Sequence, residues 1–501
     1  MTWVPDISLG QMRANLAHNG PELYIGTDGH RLIWAGRQQA MLVLGPPRSG
    51  KTSSLVVPNV LAAPGPVLVT STKTDVLEAT LASRSQLGRC WLLDPTGTLE
   101  PPPGTNLIRW SPVQASISWE EALVTARVMI TAARPHGSYG ESAHWTERGE
   151  ALLAPMLHAA AISGHGMRDV LAWTLRHDLH TPMALLVNGG DEAAVAIDVL
   201  AGIAATEDRE KSGIFSTTAG ALAAYRSGRA LGLTDEADFD PTGFASGGDI
   251  IYVCAPARYQ ALAAPIVVAF LEQLRAATYR ASADGTLRLP VTLVLDEVAN
   301  IAPLPDLPAM VSEGGGQGLL TLICLQDLSQ ARGRWGPAAD GFFSLFGAKV
   351  VLPGVGDLRT LEAVSRLAGQ GDVAVRSVNT SAWWSGRPSA STTFSTRRQE
   401  RLPIDQVHSL VPGTALVIAG ARPPRLAALT PWWGYPPFWE AGRARPPALL
   451  PAATELPGRG PRALSPLPPP PPPGAPKPSD ELPVTWRRVP GQRRSHPPPQ
   501  L

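Results

Sequence analysis

Lysine is scarce in this chain: of 43 basic residues only Lys51, Lys73, Lys211, Lys349 and Lys477 are lysines, and the rest are arginines. A chain that uses arginine almost everywhere and still places lysine at position 51 invites a chemical reason, and the surrounding motif has to supply it. Cysteine is scarcer still. Cys90, Cys254 and Cys324 each sit inside an apolar run (CWLLD, IYVCA, LICLQD), and no Cys-x-x-Cys or Cys/His spacing occurs. That excludes a disulfide framework and a zinc site, and reads as buried strand cysteines in a reducing compartment. A formal net charge of +1 excludes a global field that draws in nucleic acid, so contacts of that kind must be local. No stretch reaches the roughly 18 uninterrupted apolar residues needed to span a bilayer, and MTWVPDISLG lacks a signal-peptide pattern. The chain is expected in the cytoplasm, with partners as its route to the inner face of the plasma membrane.

Short apolar runs are plentiful. They fall at 41–44, 66–70, 90–93, 249–254, 291–295, 319–325, 348–352 and 415–419. Near-continuous rather than alternating, they predict strands buried on both faces of a mostly parallel sheet. ELYIG (22–26) and RLIWAG (31–36), separated by TDGH, predict a hairpin beside it. From about 118 to 235 this signal vanishes. Ser118 and Glu121 form an S-x-x-E capping box, and Ala/Leu-rich helical spacing follows. The reading is an α/β domain in two parts, 1–117 and 246–435, interrupted by an inserted all-α domain over 118–245. Residues 436–501 contain six consecutive prolines at 468–473. They are expected to form a disordered Pro-rich tail, either merely solvated or docking a proline-recognising partner.

The motif at Lys51 is GPPRSGKT (45–52), which satisfies G-x-x-x-x-G-K-[ST] at every fixed position, between an apolar strand and a helix. Gly45, Pro46, Pro47, Arg48, Ser49, Gly50, Lys51, Thr52 and Ser53 form the expected nucleotide-binding loop. The glycines let backbone N–H groups wrap a phosphate, and the helix N-terminus adds partial positive charge. Lys51 reaches the β- and γ-phosphates of ATP as a compact charge with three donors, and Thr52 places its hydroxyl on Mg²⁺. VTLVLDE (291–297) supplies the complement. Its strand delivers Asp296 for the Mg²⁺ ion and Glu297 to polarise the attacking water as general base. LLTLICLQD (319–327) ends a third strand on Gln326, whose amide can address the γ-phosphate and report hydrolysis.

With these residues in view, the chain resembles the coupling proteins of type IV secretion, the TraG-like conjugative DNA-transfer ATPases, from about residue 22 to 434. The resemblance is carried by VLGPPRSGKTSSLVVPNVL (43–61), STKTDVL (71–77), LLDPTG (92–97), IRWSPV (108–113), LVLDEVANIAPLPDLPAMVSEGGGQG (293–318) and ICLQDLSQARGRWG (323–336). It implies a RecA-like P-loop ATPase domain, an all-α domain that recognises substrate, and a homo-hexameric ring. Such rings deliver relaxase-bound, single-stranded DNA to the secretion channel, so relaxase and channel proteins are the implied partners. Lys51, Thr52, Asp296, Glu297 and Gln326 keep the roles given above.

Two departures stand out. The family normally begins with a transmembrane hairpin, and this chain is read as a form lacking it. Family members also commonly carry an arginine where this chain has SEGGGQG, with glycines at 314–316. An arginine acting in trans must then come from elsewhere, and Arg332 and Arg334 are the candidates. Two other readings stay open: a double-stranded DNA translocase of the FtsK or HerA kind or a protein-export ATPase, and a nucleotide-dependent scaffold without turnover.

Overall fold

In a computed structural model of the chain, residues 7–29, 31–133, 141–380 and 390–443 are described. All belong to one compact unit spanning Met1–Leu449. The expected proline-rich stretch from 444 onward lies outside them.

Each apolar run becomes a strand, and four further strands join those the sequence predicts. In chain order these are β1 (Tyr24–Asp28), β2 (Arg31–Trp34), β3 (Met41–Leu44), β4 (Val67–Ser71), β5 (Cys90–Leu93), β6 (Asn106–Leu107), β7 (Ile250–Cys254), β8 (Val291–Leu295), β9 (Leu319–Leu325), β10 (Ala348–Val351), β11 (Gln370–Thr380), β12 (Ala390–Glu400), β13 (Thr414–Ala419) and β14 (Arg425–Ala428). All except β11 and β12 join a 12-stranded sheet ordered β2-β1-β14-β13-β10-β3-β9-β8-β4-β7-β5-β6. From β10 through β6 every neighbouring pair is parallel. From β10 outward through β13, β14, β1 and β2 every pair is antiparallel. β11 and β12 pair with each other as a separate two-stranded sheet.

The apolar runs lack alternation because both faces of the sheet are covered. Leu42 and Leu44 of β3 enter one core, while Met41 and Val43 enter the other. The first core continues without a break into the helices of the insertion, where Leu152, Leu157 and Phe215 are fully buried. The helices of the expected all-α domain, from Trp119–Ala132 to Pro241–Ala245, therefore share a core with the sheet. Ser118 caps the first of them by accepting from the Glu121 N–H at 3.2 Å. In this layer His177 ends its helix in the left-handed region and stacks on Phe215 at 4.3 Å. Ala257–Ala283 is, among the described residues, the one helical stretch long and apolar enough to cross a membrane, and 67% of its most apolar part is buried against the rest of the chain.

The second core holds a surprise at each end of the body. Leu9–Asn19 is a helix closed by a Ser8/Gln11 capping box. Pro436–Arg443 is a helix as well, with Phe438 fully buried. The boundary expected at 436 is thereby corrected: the folded body runs on to Arg443. Phe438 meets the rings of Tyr24 and Tyr435 edge-on, each at 5.3 Å, and a buried ring in contact with two others outweighs the local abundance of proline.

Candidate functional site

β3 ends at Leu44, and the next residues fold back on themselves. Gly45 N–H donates to the Leu325 carbonyl at the end of β9, which fixes the loop's root. Gly50 turns at φ 95°, and Arg48, a residue with a side chain, sits at φ 65°. Two left-handed residues in one loop curl the backbone around a hollow, a conformation that costs about 1–2 kcal/mol where a Cβ is present. Lys51 is buried and donates from Nζ to the carbonyls of Gly45 at 2.5 Å and Pro46 at 3.0 Å. The helix that follows opens with a wide π turn over Thr52–Val56 before continuing as α-helix through Ala62. Pro58 has no N–H to donate inside that helix, and the wide turn lies immediately before it.

The acid pair comes from β8. Although 244 residues separate them in sequence, Thr52 Oγ1 donates to Asp296 Oδ2 at 2.9 Å. Asp296 is nearly enclosed, and Thr70 Oγ1 pins its backbone carbonyl at 2.7 Å. Burial pushes the Asp296 carboxyl up to about 6; the neighbouring Glu297 charge adds to the rise, while the Thr52 hydroxyl and the Lys51 ammonium oppose it. Glu297 is left-handed at φ 53°. The turn swings its carboxylate out of the strand line, where Asn300 Nδ2 donates to Oε2 at 3.3 Å.

These groups face one cleft of about 440 Å³. It is lined by Pro47–Ser53 from the loop, Ser71, Thr72, Lys73 and Asp75 after β4, and Asp296 and Glu297 after β8. The structure thus gathers the loop, the threonine and both acids at one place. Gln326 is positioned differently. It follows β9, the strand wedged between β3 and β8, and stands outside the residues lining the cleft. Its backbone N–H donates to Gln330 Oε1 at 2.9 Å, and Asp327 caps the helix Leu328–Trp335 by accepting from the N–H groups of Ser329 and Gln330.

The two arginines on that helix are engaged within the chain. Arg332 pairs with Asp357 at 2.7 Å, and Arg334 donates to the Ala132 carbonyl at 2.9 Å across to the helical insertion. Gly315 has a steric reason. A Cβ there would lie 2.0 Å from the Gln38 carbonyl oxygen, so no side chain fits that backbone. Sequence reasoning did not assign Lys73 or Asp75 to the cleft. The rarity of lysine was the available signal, since Lys51 and Lys73 both line this one opening. The DPTG segment is architectural: Asp94 accepts from Thr96 N–H and Leu99 N–H, at 2.9 and 2.6 Å, and so closes the turn after β5.

The family model for type IV secretory system conjugative DNA transfer matches residues 12–433. The chain belongs to that family. Within it, the chain is 23% identical over 400 residues to the type IV secretion system-coupling protein VirD4 of Bartonella quintana, covering 75% of this chain and 60% of that one. It is 21% identical over 394 residues to the conjugal transfer protein TraG of Agrobacterium fabrum, covering 76% and 58%. The chain thus spans about three-fifths of the length of these curated relatives. Among solved structures, the bacterial conjugative coupling protein TrwBdeltaN70 shares the fold at a TM-score of 0.61 and 18% identity, over 85% of this chain and 92% of that one. TrwB in complex with ADP and Mg²⁺ aligns at 0.58 and 18% identity, over 79% and 85%. As in the sequence reading, the family fold is a P-loop core on a mostly parallel sheet.

Proposed function

We propose that this family member is an ATP hydrolase of the coupling type, which recruits DNA and moves it toward a type IV secretion channel. The observation that carries the reading is the 2.9 Å contact joining Thr52 to Asp296. It brings the loop and the acid strand to one point, with Glu297 next in line.

The residues fit a magnesium nucleotide. The Ser49 hydroxyl is buried in the loop without a hydrogen-bond partner among the described residues, as befits a group built to meet a phosphate oxygen. A hydroxyl and a carboxylate side by side are hard oxygen donors of the kind Mg²⁺ prefers. When bound, the ion neutralises charge that develops on the phosphates. Lys51, now on the loop's own carbonyls, supplies the compact cation for the same phosphates. Glu297 accepts the proton of the attacking water, and Asn300 orients its carboxylate through the 3.3 Å hydrogen bond. Gln326, at the end of the strand between the two halves of the site, contributes an amide to the γ-phosphate. The names of the solved relatives support the reading: TrwB has been described with the ATP analogue ADPNP and with ADP and Mg²⁺.

The finer reading is a homo-hexamer that accepts single-stranded, relaxase-bound DNA, with a partner docking on the proline-rich tail. In such a ring Arg332 or Arg334 acts in trans only by giving up its bond to Asp357 or Ala132. The test is steady-state ATP turnover with and without single-stranded and double-stranded DNA. Turnover that single strands stimulate, and that Lys51→Ala abolishes, supports the proposal. Absent turnover in folded protein that still binds MgATP turns it toward the scaffold, and stimulation by double strands alone toward a duplex translocase.

A further inference from the structure

Beside the phosphate cleft lies a second cavity of about 460 Å³. The two share Thr52, Ser53 and Asp75 in their linings, so they adjoin. What distinguishes the second is its other wall. Asp75 and Glu78, from the first turn of the helix Asp75–Arg84, stand on one side. Trp432 and Trp433, which the segment beyond β14 carries there, stand on the other.

The two indoles do different jobs. Trp432 is half-buried and packs against Gly442, where an added Cβ would lie 2.4 Å from the Trp432 ring. It is part of the wall. Trp433 is 54% exposed and meets Trp432 edge-on, with centroids 5.6 Å apart and planes at 81°. That contact holds Trp433 in place and leaves more than half of it open beside the cavity. An exposed indole costs apolar hydration, and one held in position beside a cavity is suited to stacking on a flat ligand.

Charge decides which end of a ligand enters. Asp75 already accepts from Ser71 Oγ at 3.2 Å and from the Val76 N–H at 2.9 Å, and Glu78 accepts from Thr74 Oγ1 at 2.6 Å. Their remaining carboxylate capacity can take hydroxyl or amino donors, and Glu78, which lines the second cavity and not the phosphate cleft, repels phosphate from it. The adjoining loop, with Lys51 and its curled backbone, does the reverse. A molecule with an anionic end and a flat, hydrogen-bond-donating end is therefore held in one direction only.

We propose that this cavity receives the nucleoside end of the nucleotide whose phosphates occupy the loop at Gly45–Thr52, with the base stacked on Trp433 and the sugar hydroxyls or base amine donating to Asp75 and Glu78. The inference rests on the phosphate-loop reading and deepens it. It places the C-terminal segment of the folded body, Trp432 to Arg443, in the nucleotide site. Its volume falls within the range usual for small-ligand sites, roughly 300–1,000 Å³.

The experiment is calorimetric titration of the full chain with MgATP and, separately, with magnesium tripolyphosphate, which keeps the phosphates and lacks base and sugar. Trp433→Ala is expected to weaken MgATP about tenfold or more, the effect of removing one base–aromatic stack, and to leave tripolyphosphate unchanged. Trp433→Phe should restore most of the loss. Because Trp433 is exposed, its replacement should not shift the melting temperature, which is checked in parallel. Equal weakening of both ligands, or of neither, overturns the proposal. Lys51→Ala separates it from the reading beneath: that variant must weaken both ligands, and if it weakens neither, the phosphate-loop assignment itself fails.

Discussion

Glu297 joins a strained backbone to a chemical role, so two substitutions at that one residue can pull the two apart. Glu297→Gln keeps the side chain's shape, the left-handed φ of 53° and an acceptor for Asn300 Nδ2. It removes only basicity. A positioned general base contributes about 10²–10⁴ in rate, or roughly 3–5 kcal/mol of barrier at 1.36 kcal/mol per decade. Turnover should fall by that factor, while MgATP affinity stays within about threefold because Lys51, Thr52 and Asp296 are untouched. Glu297→Gly removes the same base and also relieves the backbone. A side chain in the left-handed region costs about 1–2 kcal/mol, and glycine gives back roughly 0.5–1 kcal/mol in chain entropy. The glycine variant should therefore be inactive yet as stable as the parent to within about 1 kcal/mol. Turnover is read by phosphate release, affinity by calorimetry, and stability by denaturant unfolding. A Glu297→Gln protein that turns over within tenfold of the parent refutes the role in catalysis. A glycine variant that loses more than about 2 kcal/mol refutes the reading of the strain.

Other outcomes follow from the same coordinates. Phe438→Ala should cost about 3–5 kcal/mol, as for other buried aromatic truncations; a chain ending at Gly434 should melt well below the parent, and unchanged melting in both would show that the last helix is not part of the body. Gly315→Ala should destabilise by about 1–3 kcal/mol through overpacking against the Gln38 carbonyl, so a stable variant would mean that the turn at Gln38 moves freely. Burial holds the Asp296 carboxyl up at about 6, so its proton competes with the metal. Magnesium affinity measured by titration should rise with pH up to about 6 and level off above it, and a flat profile from pH 5 to 8 would contradict the enclosure. Asp357→Ala frees Arg332 and uncaps the helix Leu358–Ala368. It should cost about 1–2 kcal/mol in unfolding experiments, and no cost would leave Arg332 available for a neighbouring subunit.

The central strands were legible because burial on both faces leaves an unbroken apolar run, and the phosphate loop because its fixed positions are imposed by ligand geometry. Besides the helix Leu9–Asn19 and the two-residue β6, three kinds of element escaped. The pair β11 and β12 is rich in serine, threonine and arginine along AVRSVNT and STTFSTRRQE, so its strands lack the apolar continuity that marks the sheet. β14, RLAA, lies between β1 and β13 and is too short and too weakly apolar to show a pattern. The helix at 436–443 begins with two prolines, which serve as its first turn and read in sequence as the start of the tail. At the site, Lys51, Thr52, Asp296 and Glu297 were named from spacing alone. Trp433 was not, because nothing in a linear order brings the end of the body beside position 52, and Lys73 and Asp75 were passed over because they belong to no fixed position of the phosphate-loop motif.

The wedged position of β9 has a consequence for how the site is connected. Its two neighbours carry the loop and the acid pair, so β9 fills the space between the two halves of the site. That strand leads directly into a short helix gripped at both ends: Asp327 anchors its start, and Arg334 hooks its far end onto Ala132 of the helical layer. Strand, turn and helix form one continuous stretch of chain between the phosphate site and the insertion, and Ala132 is where that stretch meets the helical layer.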